Sequence, residues 1–187
     1  MLRISESEYR QRMSAVQAEL QAGELEAFVV SSREGIFYLT GLVCDPLERP
    51  MFLAILRDRS PTFVVPLLER DHVCETLQTD RVEVYSEYPA PKGKRWDDKL
   101  REVLDAAANV GVEPSVGCEV VRRLEGFRVQ ASSLLDRLRA IKSPQEIELI
   151  RHASRFAVLG VDRLLAASYR GRPWPKALRK PGRSCGE

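Results

Sequence analysis

Two apolar runs, MFLAILRD at 51–58 and TFVVPLLE at 62–69, stand three residues apart and show no polar alternation. A strand with one wet face alternates apolar and polar residues, whereas a strand covered on both faces reads as a continuous apolar run. The pair therefore predicts two strands inside a layered structure. The intervening turn, Asp58-Arg59-Ser60-Pro61, joins them as a hairpin. A chain of 187 residues can supply covering layers on each side of such a sheet.

The flanking segments predict those layers. Ser5 stands three residues before Glu8, the spacing of a capping box, and Tyr9, Met13, Val16 and Leu20 follow at helical spacing up to Gly23. LEAFVVSS at 25–32 reads as a strand, and Ile36–Leu39 as another short extended piece. Glu69–Leu77 reads as a short helix and VEVYSEY at 82–88 as a strand. Asp97 is placed to cap a helix whose Leu100, Val103, Leu104 and Ala107 share a face, with Gly111 as its terminator. SVGCEV at 115–120 and FRVQAS at 127–132 read as extended. The predicted class is α/β, a mixed sheet with helices on both faces. A long C-terminal helix follows. Ser143, Pro144 and Glu146 form a helix start, and Ile147, Ile150, Ser154, Ala157, Val161 and Leu164 form one stripe over 144–168.

Charge is unevenly spread. Residues 170–187 carry six basic residues and one acidic, +5 in all, which leaves the rest of the chain at −3. That body gives no basis for nucleic-acid binding, and the Pro-rich basic tail reads as a disordered end. There is no apolar run near 18 residues and no signal-peptide core at the N-terminus. No membrane partner is expected, and the expected location is cytoplasmic. Cys44, Cys74, Cys118 and Cys185 are scattered without CxxC spacing, which predicts ordinary thiols.

Few residues suggest chemistry. His72, beside Glu69 and Asp71, and His152 on the long helix lack the three or four convergent ligands a metal needs. Asp97 and Asp98 read as helix-start residues rather than an acid–base pair. Cys44 has no histidine near it in sequence to activate it. Gly35, Gly41 and Gly93 make no phosphate-binding pattern. Trp96 among Lys92, Lys94 and Arg95 reads as a loop with one anchoring aromatic. The sequence alone assigns no catalytic residue and no metal ligand.

The segments YLTG (38–41), DPLERP (45–50), TFVVPLLE (62–69) and LRAIKSPQEIELIRHA (138–153), in that order and spacing, resemble the prolidase/aminopeptidase P/creatinase family of metallopeptidases. The resemblance runs from about residue 5 to about 168. It implies a prolidase-type N-terminal α/β domain over 1–140, then over 141–169 a linker and the first helix of a truncated catalytic domain. Residues 170–187 would be a tail left by a frameshift or truncation. A full-length relative would hold two divalent metal ions (Mn, Co or Zn) and cleave Xaa-Pro peptides as a homodimer. This chain alone is expected to be inactive and without cofactor. By the same resemblance, Asp45 and Arg49 belong to a loop over the partner subunit's active site and shape the substrate entrance. Some family members have His where this chain has Leu47. The loop reads equally well as a rigid turn closed by an Asp45–Arg49 pair. The stripe Ile147, Ile150, Val161 and Leu164 is a candidate dimer or partner surface, and a stand-alone interaction module using it is the alternative reading.

Overall fold

Ser5 starts the first helix in the way its spacing predicts. Its hydroxyl accepts the Glu8 N–H at 3.3 Å, and helix α1 runs Glu6–Ala22. The computed structural model describes residues 3–45, 48–77, 79 and 81–168. Beyond α1 come β1 (Ala27–Val30), α2 (Arg33–Thr40), β2 (Phe52–Leu56) and β3 (Thr62–Pro66), then α3 (Arg70–Leu77) after a short 3₁₀ turn. The chain continues through β4 (Val82–Tyr85), α4 (Trp96–Val103), β5 (Asn109–Val112), α5 (Cys118–Arg123), β6 (Arg128–Ala131), α6 (Leu134–Ala140) and α7 (Pro144–Ser168). Residues 4–141 make one compact unit, and the described residues from 142 belong to a second.

The first unit is built on a six-stranded sheet in the order β4-β3-β2-β1-β5-β6. Only β2 runs against the rest, pairing antiparallel with β1 and β3, while β3–β4, β1–β5 and β5–β6 are parallel. Strands point successive side chains to opposite faces, so an all-apolar strand feeds two cores. Phe28, Val30, Leu53, Ile55, Phe63 and Val65 meet α1, α2, α3 and α6 on one face. Ala27, Val29, Phe52, Ala54, Val64 and Val110 meet α4 and the α5 end on the other. All four residues of β1 have no exposed surface. Full burial of one such Phe or Val contributes about 1.5–3 kcal/mol, which explains why these runs lack polar residues.

Four local expectations are corrected. Ile36–Leu39 is helical, within α2. The Ser32 hydroxyl accepts the Gly35 N–H at 3.0 Å, and Gly41 closes the helix at φ +75°. Glu113, from the end of β5, accepts the Ser31 and Ser32 N–H groups at 2.7 and 2.8 Å, so this helix start depends on a residue some eighty positions away. Gly111 does not end a helix but pairs with Phe28 inside the sheet. A Cβ there would stand 2.7 Å from Leu25 and 2.9 Å from Phe28. SVGCEV is not a strand, because α5 begins at Cys118 just after Gly117. The cap of α4 is Arg95 rather than Asp97. Asp98 closes that helix start by accepting the N–H groups of Gly93 at 2.9 Å and Arg95 at 3.1 Å. Desolvation pushes the Asp98 carboxyl up, but those hydrogen bonds and the Arg95 charge hold it below the usual value.

In the second unit, the α7 start follows its expected pattern. Glu146 N–H donates to the Ser143 hydroxyl at 3.1 Å, and the Glu146 carboxylate accepts the Ser143 N–H at 2.9 Å.

Candidate functional site at the strand-entry loop

The segment between α2 and β2 alternates inward and outward residues. Leu42, Cys44 and Met51 are buried, while Val43, Asp45 and Arg49 face out. Buried residues at both ends therefore fix where the exposed charges emerge. Burial pushes the Cys44 thiol up, with Arg33 opposing, which is the reverse of what a nucleophile needs.

Asp45 and Arg49 do not pair with each other. Asp45 lies 3.7 Å from Arg33 at the start of α2, and Arg49 Nε lies 2.8 Å from Glu87 just beyond β4. Both side chains of each pair remain substantially exposed, so each bridge contributes at most about 1 kcal/mol. The loop is thus tethered outward at two points instead of being closed on itself. Leu47 lies outside the described residues.

Two further contacts brace the same segment. The Tyr85 hydroxyl donates to the Pro50 carbonyl at 3.1 Å. Burial pushes this phenol up strongly, with Glu87 adding and Arg49 opposing, so it stays a protonated donor across the physiological range. On the other side, His72 Nε2 lies 3.1 Å from the Val43 carbonyl. His72 is accordingly a brace of the loop backbone.

Arg49 stands on the rim of a cleft of about 600 Å³, lined also by Glu48, Pro50, Tyr85–Tyr88, Arg95, Trp96, Asp97 and Arg123. Trp96 is half-buried and packs on Phe52 with ring centroids 5.3 Å apart. Asp97 is nearly buried and accepts from Arg95 at 3.1 Å and Arg123 at 3.5 Å. Its role is to hold two guanidinium groups together on the cleft wall. Sequence reasoning missed Glu87, Tyr85 and Arg33 as partners of the loop. The alternation in VEVYSEY does put Tyr85 and Glu87 on one side of an extended segment, but nothing in it points to residues 49 and 50.

The other predicted site residues lie on α7, in the second unit. Ile147, Ile150 and Val161 are 38%, 52% and 55% exposed, and Leu164 is half-buried. His152 stacks edge-on against Phe156 at 4.9 Å.

The dinuclear metal centre implied for a full-length relative does not fit the residues present. Among the described residues no group of three or more His, Cys, Asp or Glu is placed to hold a metal ion. No helix among them is long and apolar enough to cross a membrane.

The Creatinase/Prolidase N-terminal domain profile matches residues 12–141. The uncharacterized hydrolase/peptidase y4tL of Sinorhizobium fredii is 33% identical over 175 residues, covering 84% of this chain and 44% of that protein. A proline dipeptidase from Streptococcus pneumoniae superposes with a TM-score of 0.60 at 28% identity, covering 70% of this chain and 98% of that one. The dipeptidase PepE from Mycobacterium ulcerans has the same fold, with a TM-score of 0.69 at 24% identity and coverage of 88% and 44%. The chain spans 40–44% of the length of the curated relatives it matches. With the matched region covering the sheet, its helices and the strand-entry loop, the chain belongs to the creatinase/prolidase N-terminal domain family.

Proposed function

We propose that this chain acts as the substrate-entrance domain of an Xaa-Pro dipeptidase- or aminopeptidase-like hydrolase. Metal-dependent cleavage belongs to a catalytic domain outside the described residues. The entrance loop serves a homodimer in the cytoplasm, where Asp45 and Arg49 of one subunit face the site of the other. The observation that carries this reading is the pinning of Arg49. Its backbone is fixed through Pro50 and its side chain through Glu87, on the rim of a cleft large enough for a short peptide. A guanidinium held in that way can give planar, two-pronged recognition to a carboxylate that displaces Glu87.

The test is hydrolysis of Xaa-Pro dipeptides by the purified chain, with Mn²⁺ or Co²⁺ and with a chelator. The expected result is no turnover under either condition. Metal-dependent turnover abolished by the chelator would overturn the assignment of catalysis to another domain. The first ligand to examine would then be His72.

A further inference from the structure

Helices α4 and α5 put two arginines, Arg95 and Arg123, on the wall of the cleft of about 600 Å³. Both are fixed from behind. Arg101 of α4 donates to the Arg123 and Glu125 carbonyls at 3.0 and 2.7 Å, and Leu124 between them has no exposed surface. The end of α5 is thereby tied to α4, and the root of Arg123 with it. One carboxylate oxygen, Asp97 Oδ2, accepts from Arg95 at 3.1 Å and from Arg123 at 3.5 Å. The other contact of Arg123, to Glu119, is also 3.5 Å. Both Arg123 contacts exceed the usual range of about 2.7–3.2 Å. A guanidinium carries five N–H donors, so the two groups keep capacity for a further acceptor while their positions are already set.

The other charged residues of the lining are Glu48, Arg49 and Glu87, so three guanidinium groups meet three carboxylates and the cleft is neutral. A phosphate-like dianion would go uncompensated there, whereas a molecule with one charge of each sign matches the wall. The two poles lie close together. Ser86 N–H donates to the Lys94 carbonyl at 2.7 Å, which closes the neck of the 86–94 loop, and Glu87 and Arg95 each follow one member of that pair. Glu87 Oε2 holds Arg49, while Arg95 uses Nη2 on Asp97 and Nε on Asp98. Among the described residues these contacts leave Glu87 Oε1 and Arg95 Nη1 for a ligand. Trp96, next to Arg95, is half-buried on Phe52 and lines the cleft, and Tyr88 in the same lining is 98% exposed. We propose that this cleft binds a free α-amino acid with a ring side chain. Its carboxylate lies on Arg95 and Arg123, its ammonium on Glu87, and its ring against Trp96 and Tyr88. The site is built within the 4–141 unit and needs no catalytic domain, so it stands apart from the peptidase reading.

Titration of the isotope-labelled full chain with L-phenylalanine, followed by NMR, tests it. A dissociation constant on the order of 1 mM is expected for so small a ligand, with shifts concentrated at the cleft residues. Phenylalaninamide, which lacks the carboxylate, and N-acetylphenylalanine, which lacks the ammonium, should each bind about 10-fold more weakly. Glycine, which lacks the ring, should not bind measurably. Arg123→Gln and Glu87→Gln should each weaken phenylalanine binding about 10-fold with the fold intact by circular dichroism. Arg137→Gln, on α6, should leave binding unaltered. No shift at about 20 mM phenylalanine, or equal binding of phenylalanine and its two blocked forms, overturns the proposal. Tighter binding of inorganic phosphate would make this an anion site, and tighter binding of glycyl-phenylalanine a peptide site, and either result overturns the assignment to a free amino acid.

Discussion

The 4–141 unit and helix α7 are written in equally clear local code, yet they end in opposite states. In the first, sixteen buried residues gather on one face of the sheet and thirteen on the other. In the second, Phe156, Val158, Leu159, Val161 and Leu165 are all more than half exposed. Both carry proper caps and regular apolar spacing. The difference teaches that periodicity specifies which element forms and which side it offers, while coverage depends on what else the chain brings to that side.

The sharpest way to break this comparison is to truncate one phenylalanine in each region. Phe28→Ala removes a fully buried ring between β1 and its covering helices and should cost about 3–5 kcal/mol. Phe156→Ala should cost less than about 0.5 kcal/mol, as exposed positions do. Urea unfolding followed by fluorescence measures both, and similar losses would mean that α7 is covered after all.

A smaller effect separates capping from packing. Ser143→Ala removes the hydroxyl that accepts the Glu146 N–H and should destabilise the start of α7 by about 1 kcal/mol. Far-UV circular dichroism should lose helix signal while the thermal midpoint of the 4–141 unit stays put. A fall in that midpoint would show the two units to be thermally coupled.

The smallest effect is a pH dependence confined to the first unit. The Asp98 carboxyl is held below its ordinary 3.8, so the unfolded chain takes up this proton first as pH falls. Its contribution is complete above that value and is lost as the pH drops through the lower folded value. Asp98→Asn should therefore lower the melting temperature at neutral pH and converge with the parent only below the lowered folded value. A constant gap down to the acid end would assign the effect to something other than this carboxylate.

How far the sequence could be read follows the same division. The β2–β3 hairpin, α1 and α7 were legible because their apolar runs, spacing and helix caps lie within one short stretch. The α2 segment was misread because Ile36 and Leu39 sit in four apolar letters, and its clinching partner, Glu113, comes from another strand. Gly111 was misread because its small size serves a contact with Leu25 and Phe28, while glycine is also the usual helix stop. At the loop, Asp45 and Arg49 stood out by charge and proline spacing. Their partners Arg33 and Glu87 did not, because long-range ion pairs leave no period.

Strand β2 is apolar at every position and is preceded by Met51, so sliding it by one residue to bring Met51 in would still bury only apolar side chains. Hydrophobic pattern cannot choose its register. Two polar stops can. At one end the Tyr85 hydroxyl holds the Pro50 carbonyl, and at the other Arg57 donates to the Leu25 carbonyl at 2.9 Å. The strand is strung between two pegs, and the phase of everything attached to it, Arg49 included, is set by them rather than by grease.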